Sequence, residues 1–237
     1  MKRGMTMEVH SFLLMGQSNA AGSGFLEEAE PLELHPDKFW VLRNGMWRKM
    51  YRPINPDHWG SGVCLAESFV KAYSEAHPDV AIGVIPCAFG GSGQRNWQPG
   101  QGLFDNAVNC ARIAMRGSQL KAVLWHQGED DCADKYYPHY YDNFQNVKNT
   151  LRQELEMPEL PFILGGLADS LAKVEDYINY PYINEALQRI ANDDPFCTFV
   201  PSTGLTCNPD NIHFNSKSLE ELGLRYFAAY QKLEETC

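Results

Sequence analysis

Residues 11–22 read SFLLMGQSNAAG, and this stretch decides the fold. Its opening run, Ser11 to Met15, is mostly apolar but too short for a helix, which is typical of a parallel strand buried on both faces. The glycine and polar residues that follow end the strand in a turn. The same arrangement recurs at residues 80–85, 122–125, 162–165 and 198–200. The sequence therefore predicts five short parallel strands.

Longer segments with helical patterns separate these strands, at residues 65–76, 103–115, 140–156, 182–191 and 216–233. Alternating strands and helices indicate a parallel sheet covered by helices on both faces. We expect an α/β fold, a doubly wound (flavodoxin-like) three-layer α/β/α sandwich with a five-stranded parallel sheet, in one domain over residues 1–237. The segment Gly22–Gly60, rich in proline, tryptophan and charge, is predicted to be an irregular excursion over the rim of a functional site.

Composition limits the partners of the 237-residue chain. Its formal net charge is −10 and it has no Lys/Arg run, which argues against nucleic-acid binding. Seven cysteines are dispersed without a C-x-x-C pair, a usage typical of reduced thiols in a cytoplasmic protein. The apolar run Phe12–Met15 is too short for a signal peptide core or a membrane span. We therefore predict a cytoplasmic protein without a membrane partner.

Polar or glycine-rich clusters follow four of the five predicted strands. They are residues 16–22 (GQSNAAG), 89–93 (FGGSG), 125–130 (WHQGED) and 208–213 (NPDNIH). Because the carboxyl ends of parallel strands meet at one edge of the sheet, these clusters are expected to face each other there.

Together the clusters contain the parts of an acyl-transfer site. Ser18 is a candidate nucleophile, which needs a base to remove its proton during attack. His213 suits that task, and Asp210, three residues earlier on the same loop, can fix the imidazole tautomer. Hydrogen-bond donors for the developing oxyanion could come from the Ser18 and Gly91 N–H groups and the Gln127 side-chain amide.

Four blocks of the chain resemble the conserved blocks of the SGNH-hydrolase superfamily. They are Gly16–Asn19, Gly90–Ser92 followed by Trp97, Trp125–Glu129, and Asp210 with His213. More narrowly they resemble its sialate O-acetylesterase and carbohydrate esterase family 6 branch, which includes acetylxylan esterases. The blocks follow the family order over nearly the whole chain.

The resemblance implies a role for each matched residue. Ser18 is then the nucleophile, Asp210 and His213 complete the triad, and Gly91 (or its neighbour Gly90) and Gln127 supply oxyanion contacts. Two further side chains are expected beside them: Glu129 bracing loops behind the site, and Asn19 in contact with substrate. One departure is Ala20, where the branch usually has Met. No metal or cofactor is expected.

The expected substrate is a short acyl ester of a sugar hydroxyl, from acetylated xylan fragments or O-acetylated sialic acid. No Leu/Phe-rich stretch is placed to form a lipid-binding lid, whereas aromatic rings beside polar side chains suit a pyranose. The candidates, Trp97 foremost, are Trp47, Trp59, Trp97, Arg43, Arg52, Arg95, Asn55 and Asn96.

Four other functions compete with this interpretation. An α/β-hydrolase would carry a G-x-S-x-G elbow, but Ala occupies the last position of that pattern here. A metal hydrolase could use the set His126, Glu129, Asp130 and Asp131, although no H-E-x-x-H spacing supports it. A non-catalytic sugar- or nucleotide-binding module could use the glycine-rich turns, although no G-x-x-x-x-G-K-[ST] loop is present. The fourth is an esterase acting on non-sugar short-chain esters.

Overall fold

The computed structural model describes residues 7–35, 37–56 and 60–236. The strands of this part are β1 (Val9–Gly16), β2 (Phe39–Arg43), β3 (Met46–Lys49), β4 (Ala81–Pro86), β5 (Gln119–His126), β6 (Phe162–Gly165) and β7 (Cys197–Val200). Its α-helices are α1 (Ser18–Ala21), α2 (Leu65–Ala76), α3 (Gly102–Ala114), α4 (Tyr140–Glu154), α5 (Tyr180–Asp193) and α6 (Ser216–Thr236). None of these helices combines the length and the apolar character needed to cross a bilayer.

The strands form one sheet in the order β3-β2-β4-β1-β5-β6-β7. All neighbouring strands are parallel except β2 and β3. The five strands β4-β1-β5-β6-β7 have the doubly wound, flavodoxin-like order. The predicted α/β class is therefore confirmed, and the sheet is two strands wider than predicted.

The two additional strands lie inside the Gly22–Gly60 segment, so the prediction that this whole segment is irregular is wrong. Strand β2 joins the sheet beside β4, and β3 folds back on it. The turn between them is Asn44–Gly45, with φ of 49° and 73°, a pair that favours tight hairpins. Trp47 of β3 packs on Gly83 of β4, where a Cβ would lie 2.5 Å from the indole ring. Part of the segment thus widens the sheet.

Strand β1 occupies the centre of the fold. Its residues Phe12–Met15 are completely buried, because strands flank β1 on both sides and helices cover both faces. Helices α2 and α6 pack against each other on one face, and α3, α4 and α5 follow one another on the other. The chain passes from β1 to β4 on one side and later to β5 on the other. The carboxyl end of β1 is therefore the switch point where α/β folds place their sites.

Candidate active site

Ser18 stands at the carboxyl end of β1 as the first residue of the short helix α1. The turn before it depends on Gly16, whose φ is 127° and where a Cβ would lie 2.0 Å from the His126 carbonyl oxygen. Only glycine fits there, and Gln17 N–H then donates to the same carbonyl at 2.9 Å. Ser18 itself is 6% exposed. The turn thus holds a nearly buried hydroxyl at this edge of the sheet.

The loop before α6 brings His213 and Asp210 against this serine. His213 Nε2 lies 2.8 Å from Ser18 Oγ, and His213 Nδ1 lies 2.7 Å from Asp210 Oδ2. Asp210 Oδ1 accepts the backbone N–H groups of Ile212 at 2.8 Å and His213 at 2.9 Å. The structure thus joins three predicted site residues, Ser18, His213 and Asp210, in one relay of hydrogen bonds.

The relay is open to solvent at its acidic end. The side chains of His213 and Asp210 are 32% and 42% exposed. Partial burial acts to raise the pKa of Asp210, but hydrogen bonds from the His213 backbone and ring outweigh it and lower that pKa overall. Asp210 is therefore ionised at neutral pH and can accept a hydrogen bond from the protonated Nδ1 of the His213 imidazole.

The backbone N–H groups of the turns after β1 and β4 are the candidate donors to an oxyanion. In the described part of the chain, no acceptor is bonded to the N–H of Ser18, and the same is true of Gly91 and its neighbour Gly90. Gly91, with φ of 67°, lies in the turn after β4, which Phe89 N–H ties to the Gly16 carbonyl at 2.9 Å. A cavity of about 170 Å³ adjoins this turn, lined by Phe89, Gly91, Ser92, Asn96 and Leu103.

Gln127 does not fit its predicted role as an oxyanion donor. The residue is wholly buried, and its Nε2 points to three acceptors of the protein itself. These are Asp131 Oδ2 at 2.6 Å, the Ser92 carbonyl at 3.1 Å and Gln17 Oε1 at 3.2 Å. An amide nitrogen has two hydrogens, so none remains for a substrate.

Gln127 belongs instead to a buried layer beneath the relay, which we call the polar floor: Gln17, Asn19, Gln127, Glu129 and Asp131. Gln17 Oε1 accepts the N–H groups of Gly128 at 3.2 Å and Asp130 at 3.3 Å in addition to the Gln127 amide. Burial raises the pKa of Asp131 to about 6, against hydrogen bonds that lower it. The floor ties the turn after β5 to the turn that carries the serine.

Trp97 and Asn19 do not fit their predicted contacts with substrate either, because both are completely buried. The Trp97 indole N–H donates to Ser92 Oγ at 2.9 Å, and its ring meets Trp125 edge-to-face at 5.6 Å. Asn19 uses both ends of its amide within the protein. Neither side chain has a face or an atom left for a sugar.

Most of the other predicted sugar contacts are structural as well. Arg43 donates to the carbonyls of Pro53 and Ile54, Arg52 forms an ion pair with Glu67, and Asn55 donates to the Ala88 carbonyl at 2.9 Å. Trp59 lies outside the described residues. Among the described members of the predicted set, two stay at the surface: Arg95, bound to Asp130 at 2.6 Å, and Asn96, which lines the cavity beside Gly91.

Glu129 lies in the polar floor behind the relay. Its Oε1 accepts from Asn19 Nδ2 at 2.6 Å, while Oε2 has no hydrogen-bond partner among the described residues. Burial raises the pKa of Glu129, although the Asn19 hydrogen bond acts in the opposite direction. Within those residues, no group of three or more His, Cys, Asp or Glu side chains is close enough to hold a metal ion.

Comparisons with known proteins find relatives over nearly the whole chain. The model of a family described as carbohydrate esterase, sialic acid-specific acetylesterase, matches residues 8–232. A probable carbohydrate esterase of Arabidopsis thaliana is 29% identical over 242 residues, which cover 92% of this chain and 89% of the relative. The X-ray structure of the same A. thaliana protein, AT4G34215, superposes with a TM-score of 0.84 at 27% identity, covering 94% of this chain and 98% of that one.

A second solved structure, NanS, shares the fold. It has a TM-score of 0.77 at 16% identity and covers 98% of this chain and 99% of its own. The family match includes all four strand-end blocks, which confirms the resemblance predicted from them. Membership makes the protein a carboxylic ester hydrolase of the carbohydrate acetylesterase type. The chain belongs to the sialic acid-specific acetylesterase family of carbohydrate esterases.

Proposed function

We propose that this protein is a serine esterase that removes O-acetyl groups from carbohydrates through an acyl-enzyme. One observation carries the proposal: Ser18 Oγ, both ring nitrogens of His213 and the Asp210 carboxylate form a continuous relay, with contacts of 2.8 and 2.7 Å. A non-catalytic binding module has no use for a nucleophile, a base and an orienting acid in contact.

In the acylation step, His213 Nε2 accepts the Ser18 hydroxyl proton as Oγ attacks the acetyl carbonyl carbon. The negative charge that develops on the carbonyl oxygen is stabilised by the Ser18 and Gly91 N–H groups. Asp210 stabilises the imidazolium through Nδ1–H. The intermediate then collapses, the C–O bond to the sugar breaks, and His213 returns its proton to the departing sugar oxygen. The products are the free sugar hydroxyl and an acetylated Ser18.

In the deacylation step, a water molecule replaces the sugar. His213 removes a proton from this water as its oxygen attacks the acetyl-serine carbonyl carbon. Collapse of the second tetrahedral intermediate breaks the bond to Oγ, and His213 donates its proton to the serine. Acetate leaves and the enzyme regains its starting state. The exposure of His213 gives water direct access to the base.

Family membership and an open site support an acetylated sugar as the substrate. The side chains of His213 and Asp210 are 32% and 42% exposed, so a polar leaving group can stay in contact with solvent while Ser18 attacks the acetyl carbon. Acetylated xylan fragments and O-acetylated sialic acids are the two candidates. The buried tryptophan Trp97 contributes nothing to this choice.

The catalytic assignment is tested with Ser18→Ala. Losing a triad member lowers kcat on an aryl acetate by about 10⁴–10⁶. A serine-directed phosphonate is expected to label the native protein on Ser18 and to leave the variant unlabelled, by intact mass. Circular dichroism and thermal unfolding control for the fold. A folded variant that hydrolyses aryl acetate near the native rate contradicts the assignment.

The substrate is tested separately, by acyl-chain selectivity and by acetate release. We expect aryl acetate to be preferred over aryl octanoate, and acetate to be released from acetylated xylo-oligosaccharides or from O-acetylated sialic acid. Activity on aryl acetate without acetate release from any acetylated sugar would identify an esterase for non-sugar short-chain esters and leave the relay assignment intact.

A further inference from the structure

The main chain around His213 is held at every peptide group. His213 N–H donates to Asp210 Oδ1 at 2.9 Å, and the His213 carbonyl accepts from Asn208 N–H at 2.7 Å. The other two polar groups of the flanking peptides are the Ile212 carbonyl and the Phe214 N–H. Both are bound by one buried side chain, Asn19, at 3.2 and 3.0 Å.

Asn19 is placed to control the distance between base and nucleophile. It follows Ser18 directly in helix α1, so its amide links the serine backbone to the histidine backbone. These two contacts form in one orientation of the Asn19 amide only, since Nδ2 must face the Ile212 carbonyl and Oδ1 must face the Phe214 N–H. Oδ1 is also bound by Ser23 Oγ at 2.8 Å. A rotated amide would set like groups against each other on both sides of His213.

Glu129 fixes that orientation. Its Oε1 accepts from Asn19 Nδ2 at 2.6 Å, the shortest contact that Asn19 makes. Because Glu129 is 2% exposed, water cannot substitute freely for this contact. We propose that Glu129 is a positioning residue that keeps His213 within hydrogen-bond reach of Ser18 by locking the Asn19 amide. This inference rests on the proposed function.

The surroundings of Glu129 suit an uncharged carboxyl group. Tyr226 O–H donates to the Trp125 carbonyl at 2.7 Å, so His126 Nδ1, 3.2 Å from the same oxygen, must be the donor of that pair. The other ring nitrogen, His126 Nε2, is then an acceptor and lies 4.0 Å from Glu129 Oε1. No positive charge compensates the carboxyl from this side, and burial raises the pKa of Glu129.

The locking role needs an acceptor oxygen, which both glutamate and glutamine supply, and this separates two variants. Glu129→Gln keeps an acceptor for Asn19 Nδ2, and Glu129→Ala removes it. We expect Glu129→Ala to lower kcat on aryl acetate by about 10–100-fold with KM changed less than about twofold, since small displacements of a base cost this much. The phosphonate labelling rate of Ser18 should fall by the same factor. Glu129→Gln should stay within about threefold of the native kcat.

A double-mutant cycle shows whether Glu129 acts through Asn19. If it does, the kcat of Asn19→Ala/Glu129→Ala equals that of Asn19→Ala alone. The matched control is Glu67→Ala, which removes another buried, hydrogen-bonded carboxylate and should lower thermal stability without changing kcat. If Glu129→Ala does not fold, the variant Glu129→Met, which keeps the side-chain volume, is used in its place.

Three results would overturn the proposal: native-like kcat in folded Glu129→Ala, a loss in Glu129→Gln as large as in Glu129→Ala, or additive losses in the cycle. Each of these presupposes a native protein that hydrolyses aryl acetate and is labelled on Ser18. Absence of both activities in the native protein would instead defeat the proposed function, so the two failures are distinguishable.

Discussion

The exposed relay and the polar floor beneath it are built from similar side chains in opposite ways. In the relay, Asp210 and His213 are each about one-third exposed or more, and the Asp210 carboxylate is ionised. In the floor, Gln127 and Asp131 are buried, and every Gln127 amide hydrogen has an acceptor within the protein. The difference teaches that groups that exchange protons keep access to water, while buried donors that bind acceptors within the protein hold the first set in place.

Among the variants that distinguish the relay from the polar floor, Asp210→Asn is expected to cause the largest loss of kcat. Two backbone N–H groups face Oδ1, so the new amide must keep its oxygen there and turn its NH₂ toward His213. His213 Nδ1 then has to accept, which leaves the proton on Nε2 and prevents that atom from taking the Ser18 proton.

We expect the kcat of Asp210→Asn on aryl acetate to fall by about 10³–10⁴, because a wrong tautomer removes the base. The melting temperature should change little, since Asp210 is half-exposed. Steady-state kinetics with the Ser18→Ala variant as baseline measure the loss. A kcat within tenfold of the native enzyme would mean that Asp210 does not set the tautomer.

The second effect concerns Gln127. Because Gln127 belongs to the polar floor, we expect its substitution to lower the stability of the protein more than its kcat. Gln127→Ala leaves the Ser92 carbonyl without its donor. Asp131 Oδ2 and Gln17 Oε1 each lose one hydrogen bond but keep other donors, from the backbone N–H groups of Gln94, Gly128 and Asp130. One unsatisfied buried group costs about 1–3 kcal/mol and each of the other two lost hydrogen bonds about 1 kcal/mol, so the free energy of unfolding should drop by roughly 3–5 kcal/mol.

The kcat of folded Gln127→Ala should change less than about tenfold, whereas loss of an oxyanion donor costs about 10²–10³. Urea unfolding and aryl acetate kinetics on the same sample provide both numbers. Gln127→Met, which keeps the volume, separates the missing hydrogen bonds from the cavity. If Gln127→Ala were as stable as the native protein and lost kcat a hundredfold, Gln127 would be an oxyanion donor after all.

The sequence predicted the relay better than the polar floor, for a physical reason. Asp210 and His213 sit three residues apart on one loop, so their contact is local and spacing reveals it. The direction in which a buried amide points depends on partners more than a hundred residues away, as for Gln127 with Gln17, and no local pattern records it. Asn19 was misassigned for the same reason, since it binds the Phe214 N–H.

The fold shows the same contrast between local and distant information. The five core strands and the helices follow from periodicity, within a few residues at their ends. The β2–β3 hairpin was missed although Asn44–Gly45 between apolar residues is a hairpin signal. The tryptophans and charges around it favoured an exposed loop, and only the packing of Trp47 on Gly83 shows why they belong to a sheet edge.

The smallest effect, and the one that depends on pH, is expected from Asp131→Asn. Burial raises the pKa of Asp131 to about 6, above its ordinary value near 4. Between these two values the folded protein binds more protons than the unfolded chain, so the free energy of unfolding contributed by Asp131 falls as the pH rises through this window. Above pH 6 the loss is complete, at most about 3 kcal/mol for a shift of about two units.

An asparagine at position 131 escapes that loss, because its amide oxygen can still accept from Gln127 Nε2 and the Gln94 N–H. Relative to the native protein, Asp131→Asn should therefore gain stability at pH 8 and show a smaller gain, or none, at pH 4.5. Urea unfolding of both proteins at the two pH values measures this difference, with kcat at pH 8 as the check that the relay is undisturbed. A stability difference that is the same at both pH values would mean that the buried carboxyl does not titrate in this range, and that the floor holds its proton by some arrangement other than simple burial.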